Sequence, residues 1–176
     1  MILIALGSNL PSRAGGPAET IEAALATLEP NGIRPEKVST LYKTRAWPDP
    51  SDPPFVNAAA RVTTGLPPAA LLKTLQEIER SFGRVRGVPN APRTLDLDIL
   101  DYDGRIEGGP PILPHPRLDT RAFVLVPLAE IAPEWRHPVS GQSVGELLGP
   151  LSDAARQIVP LSSGDSANQR PSGGSS

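Results

Sequence analysis

Thr94-Leu95-Asp96-Leu97-Asp98-Ile99-Leu100 alternates apolar and acidic side chains at period two. That period is the mark of a β-strand, with Leu95, Leu97 and Ile99 on one face and Asp96 and Asp98 on the other. The Cβ atoms of the two aspartates should then lie roughly 7 Å apart, twice the rise per residue. Working backward, Leu71, Leu75, Ile78 and Phe82 repeat at helical spacing between Pro67-Pro68 and Gly83. Phe55 to Thr64 precedes them as a strand, closed by Gly65, and Val38 to Ala46 reads as another. Ile21, Ala24, Leu25 and Leu28 place a helix between Gly15-Gly16-Pro17 and Pro30-Asn31-Gly32. Ile2 to Leu6 is a short apolar strand before it. Working forward, Asp103-Gly104 turns the chain, a helix is expected over Thr120 to Ile131, and a short one over Val144 to Leu148. Strand, helix, strand, strand, helix, strand is the split βαβ order of ferredoxin-like α+β folds. An antiparallel sheet with helices on one face is the expectation.

The chain has 176 residues, enough for one domain with its own core. Cysteine is absent, which excludes disulfides, thiolate nucleophiles and zinc–sulfur sites. The formal charge of -2 and 4% aromatic content argue against a general nucleic-acid binder and against a single-stranded RNA module. Only Lys37, Lys43 and Lys73 are lysines, so the cationic side chains are mostly planar guanidinium groups suited to phosphate or carboxylate. No stretch approaches the ~20 apolar residues of a membrane span. The apolar opening reads as a strand rather than a leader, and a soluble cytoplasmic protein is expected. Ser162 to Ser176 has almost no apolar side chain and reads as a disordered tail, leaving residues 1–161 as the domain.

Two aspartates on one strand face repel, and aspartate is a poor strand former. A divalent cation shared with a polyphosphate would relieve that repulsion, although a solvated strand face carries the same pattern. The preceding loop adds Arg84, Arg86 and Arg93 with no acid between Glu79 and Asp96. A cationic loop leading into paired carboxylates suits a metal–polyphosphate substrate. There is no Walker A sequence and no Rossmann glycine fingerprint. His115, between Pro114 and Pro116, sits on a stiff extended backbone and could donate to phosphate or carry a proton. Thr44, Trp47, Phe55 and Asn57 bracket a proline-rich loop and offer both amide groups and ring faces to a flat heterocycle. Ordinary hairpin packing would use the same residues.

Taken together these segments resemble the 6-hydroxymethyl-7,8-dihydropterin pyrophosphokinase family. The matching pieces are Leu6-Gly7-Ser8-Asn9-Leu10, Tyr42-Lys43-Thr44, Phe55-Val56-Asn57, Gly83-Arg84-Val85-Arg86, Pro92 to Ile99, Leu113 to Arg117 and Arg121-Ala122-Phe123. The resemblance implies a ferredoxin-like fold and transfer of diphosphate from ATP to the pterin hydroxymethyl group, with release of AMP. It implies that Asp96 and Asp98 hold two Mg2+ ions and that Arg84 and Arg93 act on the triphosphate. His115 and Arg121 fall at further phosphate contacts, and Gln76 and Ile99 at nucleotide-site positions. Thr44, Phe55, Asn57 and Phe123 fall in its pterin pocket, with Phe55 and Phe123 sandwiching the ring, and Asp96 beside it. Glu79 matches a family glutamate. Asn90 stands where the family often has tryptophan, and Pro110 and Ile112 where it often has basic or hydroxyl residues. A monomer acting on small molecules is expected, with no membrane or nucleic-acid partner. The rival class is a ferredoxin-like ligand-binding domain without catalysis, which would not require the aspartate pair, the arginine loop and His115 together.

Overall fold

The computed structural model describes residues 1–46, 49–85, 87, 89 and 91–162. Trp47, Arg86, Asn90 and residues 163–176, most of the expected tail, lie outside the described residues. The elements run β1 (Ile2–Ser8), α1 (Pro17–Leu28), β2 (Ile33–Val38), β3 (Tyr42–Thr44), β4 (Phe55–Thr64), α2 (Pro68–Ser81) and β5 (Asp96–Tyr102). A small hairpin follows, β6 (Glu107–Gly108) and β7 (Ile112–Leu113), then α3 (Ala122–Ile131), α4 (Val144–Leu148), α5 (Ser152–Arg156) and β8 (Val159–Pro160). The main sheet has the order β5-β1-β4-β3-β8, with β2 also paired to β4. Its strand pairs are antiparallel. This is the ferredoxin-like order, in which each split βαβ unit leaves room for one strand between its own two.

Each helix forms for reasons visible in its residues. Pro17 and Pro68 begin α1 and α2, where a missing N–H costs nothing. The stripe Leu71, Leu75, Ile78 and Phe82 is buried, and so are Ile21, Ala24 and Leu28 of α1. Both helices pack on one sheet face, against Ile2, Ile4, Leu6, Leu95, Leu97 and Ile99. Ser143 and Glu146 form a reciprocal capping box that starts α4.

Two expectations are corrected. Helices cover both sheet faces, not one: Leu3, Ala59 and Leu100 point to the opposite side and pack with Val124, Leu125 and Leu128 of α3 and Val144 and Leu147 of α4. The strand expected at Val38 to Ala46 is two strands. β2 starts at Ile33 and ends at Val38, and β3 resumes at Tyr42. Between them Ser39 closes the gap, its N–H donating to Ala59 O at 2.9 Å and its Oγ accepting the Ala59 N–H at 3.0 Å. Arg34-Pro35-Glu36-Lys37 hides β2 from a propensity reading, since proline and charge are tolerated there only at a sheet edge with an irregular register.

Candidate active site

Gly7 of β1 lies opposite Asn57 of β4 on one side and Asp96 of β5 on the other. Two residues along, Ala5 lies between Ala59 and Asp98. These small residues make a low floor on the α3 face of the sheet, and the functional side chains rise from its sides. A methyl at Gly7 would sit 3.1 Å from Asn57 Oδ1, 3.9 Å from Phe55 Cδ1 and 4.0 Å from Asp96 Cβ. Asn57 and Thr44 are buried together, with Asn57 Nδ2 donating to Thr44 Oγ1 at 2.9 Å.

A cavity of about 390 Å³ opens on the Asp96 side, walled by Arg84, Arg93, Asp96, Asp98, His115, Arg117 and Arg121 among others. Asp96 holds two arginines at once. Arg84 Nη1 donates to its Oδ1 at 2.6 Å and Arg93 Nη1 to its Oδ2 at 2.8 Å. Burial pulls the Arg84 guanidinium down, but Asp96 outweighs it, with help from Glu79 and Asp98, and the net shift is upward. Burial, then the charge of Asp96, pushes the Asp98 carboxyl up to about 6 against the pull of Arg121. Across the cavity His115 Nε2 stands 3.7 Å and Arg121 Nη1 4.0 Å from Asp98 Oδ2. His115 Nδ1 accepts the Arg117 N–H at 3.2 Å, which leaves the ring proton on Nε2, toward Asp98. Burial, then Arg121 and Arg117, lower His115 to about 4, so the ring is neutral at pH 7.

The ends of α2 and β1 aim these groups. Gly83, at φ +82, ends α2 in the left-handed conformation. Its N–H donates to Arg80 O and the Arg84 N–H to Glu79 O, a Schellman closure that sends Arg84 back over β5. Glu79 is buried at 3% exposure, and its Oε1 accepts the Leu97 N–H at 2.8 Å and lies 3.7 Å from Arg84 Nη1. It positions Arg84 and the start of β5. Asn9 does the same for Arg93, and sequence reasoning missed it. Its Oδ1 accepts the Arg93 N–H at 2.8 Å, while its Nδ2 donates to Pro53 O at 3.1 Å. The available signal was a polar residue directly after a buried strand. Phe55 lies under the Arg93 guanidinium at 5.7 Å and Phe123 under that of Arg121 at 5.5 Å.

Of the expected site residues, Arg84, Arg93, Asp96, Asp98, His115 and Arg121 line the cavity. Thr44, Phe55 and Asn57 adjoin it across Gly7. Phe123 adjoins it through Arg121. Ile99 is not brought into it, being buried in the core on the other face. Gln76 is half-buried on α2 and does not line the cavity. Arg117, which had no assigned role, does line it.

Fold and cavity together define an α+β protein with a cavity walled by arginines and two aspartates, beside the buried Asn57–Thr44 pair and Phe55. Residues 3–133 match the 7,8-dihydro-6-hydroxymethylpterin-pyrophosphokinase family. A 2-amino-4-hydroxy-6-hydroxymethyldihydropteridine pyrophosphokinase of Synechocystis sp. is 40% identical over 148 residues, 83% of this chain and 73% of that one. The enzyme of the same name from Methylorubrum extorquens is 40% identical over 157 residues, 89% of this chain and 96% of that one. A crystal structure of the Plasmodium falciparum HPPK-DHPS protein superposes with a TM-score of 0.66 over 86% of this chain and 43% of that one, at 13% identity, and shares the fold. The chain belongs to the 7,8-dihydro-6-hydroxymethylpterin-pyrophosphokinase family. It is a pyrophosphokinase acting on hydroxymethyldihydropterin in folate synthesis.

Proposed function

We propose that the cavity binds the triphosphate of ATP between Asp96, Asp98 and its arginines, and that the adjoining slot holds the pterin between Phe55 and Phe123. The observation that supports this most is the row Asp96–Gly7–Asn57, which sets a phosphate-side carboxylate next to an amide that can read a heterocycle edge. Asn57, held by Thr44, supplies both a donor and an acceptor for the ring. Arg84 and Arg93 exchange Asp96 for phosphate oxygens when the nucleotide enters, and stabilise charge that moves from the β-phosphorus to departing AMP. Neutral His115 offers its Nε2–H, and Arg121 its charge, to the same anion. The pterin hydroxymethyl oxygen attacks the β-phosphorus directly as the bond to AMP breaks; among the described residues the cavity wall offers no serine, threonine, cysteine or lysine, and Asp96, Asp98 and His115 serve here as metal ligands and phosphate donor.

The aspartate pair fits Mg2+. Asp98 is pushed up to about 6 partly by Asp96, a repulsion a divalent cation would remove. Among the described residues no three acidic, histidine or cysteine side chains form a ready cage, which suits an ion that keeps waters and substrate phosphates as ligands. Asp96 and Asp98 would hold two such ions, which when bound neutralise polyphosphate charge. Among the described residues no helix is long and apolar enough to cross a membrane. The enzyme works as a monomer on small molecules.

The test is to mix the protein with labelled ATP, Mg2+ and the hydroxymethylpterin and to resolve the products. AMP and a diphosphorylated pterin are expected. ADP as the product, or label trapped on the protein in an acid quench, would overturn the direct transfer.

A further inference from the structure

We infer that Arg117 is an additional nucleotide-phosphate contact, the outer cation on the Asp98 flank of the cavity. The inference rests on the pyrophosphokinase reading above. Among the described residues four arginines, Arg84, Arg93, Arg117 and Arg121, and two aspartates line the cavity. Three of the arginines already have carboxylate partners there. Arg84 and Arg93 share Asp96, and Arg121 lies 4.0 Å from Asp98. Arg117 has none: among the described residues no carboxylate lies in ion-pair reach of its guanidinium, which is exposed at the cavity wall. Its charge is felt by its neighbours, since after burial it is among the causes that lower Arg121 and His115. Crowding an unpartnered arginine against a second arginine and a histidine costs free energy until an anion arrives. A triphosphate is the anion this cavity is built to take, and the planar fork of arginine suits its oxygens.

The backbone and the side chain of Arg117 have separate tasks. Its N–H fixes His115 through Nδ1 at 3.2 Å, and any non-proline substitution keeps that bond. Removing the side chain therefore tests the guanidinium alone. Arg117 serves binding more than chemistry, because its charge is peripheral to Asp96, where Arg84 and Arg93 converge.

The experiment titrates the full chain with Mg2+ and α,β-methylene-ATP, which cannot transfer diphosphate, at low and high salt. Arg117→Ala should bind it roughly 10- to 100-fold more weakly at low salt, the worth of one charge-assisted bond. The gap should narrow at high salt. Arg117→Lys should recover part of the loss. Adenosine, which lacks phosphates, should bind both proteins alike, and Arg156→Ala on α5 should bind the analogue as wild type does. In turnover KM for ATP should rise more than kcat falls. Wild-type binding with Arg117→Ala within twofold of it would overturn the inference and leave the pyrophosphokinase reading standing. Equal losses for adenosine and the analogue would also overturn it, by showing a structural role. No binding to wild type would overturn both.

Discussion

Asp96 meets two guanidinium groups through separate oxygens, at 2.6 and 2.8 Å. These arginines occupy the carboxylate that the proposed divalent cation would need. Arg84→Ala and Arg93→Ala should therefore do two things. Each should lower kcat by roughly 3–4 kcal/mol of transition-state stabilisation, the usual loss of one well-aimed donor at a developing anion. Each should also tighten nucleotide-free Mn2+ binding measured by electron paramagnetic resonance. Weaker Mn2+ binding in both would show that arginine and cation do not compete. Gly7 is the second residue whose size matters, because an alanine methyl would lie 3.1 Å from Asn57 Oδ1. Asn57 is tied to Thr44, so it cannot retreat without losing that bond. Gly7→Ala should weaken pterin binding roughly tenfold, ~1.4 kcal/mol, and leave binding of the ATP analogue within twofold. An unchanged pterin Kd would place the pterin elsewhere. The aspartate pair was legible in the sequence because strand alternation is a local rule. Asn9 was not, because its bond to Arg93 spans 84 positions and no periodicity encodes it.

The C-terminus of α2 is the element that aims Arg84, and Gly83 is its hinge. A Cβ on Gly83 would touch nothing within 4 Å, so the obstacle to substitution is the backbone at φ +82. Gly83→Ala should cost roughly 1–2 kcal/mol of stability and lower kcat beyond what its melting shift explains. A lower Tm with unchanged kcat would show that the turn can reopen without misplacing Arg84. The β2–β3 break is held by another element-level device. Glu130 of α3 accepts from Thr40 N and Oγ1 and from the Tyr42 hydroxyl at 2.8 Å. Burial raises the Glu130 carboxyl, but these bonds outweigh it and the net shift is down. Burial, then the bond to Glu130, pushes Tyr42 up to about 12. The contribution of Glu130 is present above the usual carboxylate pKa and lost as pH falls through its lowered value. That of Tyr42 is present below 10.0 and lost as pH rises to about 12. Glu130→Gln should flatten both limbs of a plot of Tm against pH. Unchanged limbs would make the latch irrelevant to stability. None of this was readable from Val38 to Ala46 taken as one strand, since the break is fixed by a helix some ninety positions away.

At the scale of the molecule, the sheet separates two cores, and the site lies where the α3 face stops being apolar. Leu3, Ala59 and Leu100 are covered, while Gly7, Asn57, Asp96 and Asp98 lie further along the same face. Element order carried the ferredoxin-like topology in the sequence. It could not carry the second layer, because α3 is apolar almost all round and its pattern does not say which face it covers. The confined end of that face holds two groups whose proton affinities are displaced in opposite senses. His115 is lowered from 6.5 to about 4. Between those values the unfolded chain binds a proton that the folded one refuses, so this term removes stability as pH falls from 6.5 toward 4. Asp98 is raised from 3.8 to about 6, so the folded chain binds a proton that the unfolded one lacks, and this term adds stability over nearly the same interval. The two slopes oppose, and the metal-free wild type should show a shallow acid limb. Asp98→Asn removes one slope and leaves the other. Denaturant unfolding without divalent cations should then show Asp98→Asn losing stability between pH 6.5 and 4 that the wild type keeps, at most about 3 kcal/mol at 1.36 kcal/mol per pKa unit. An imidazole titration by NMR should place His115 near 4 in the wild type. Superimposable acid limbs, or an imidazole titrating near 6.5, would show that His115 is not held neutral by its burial and its arginine neighbours.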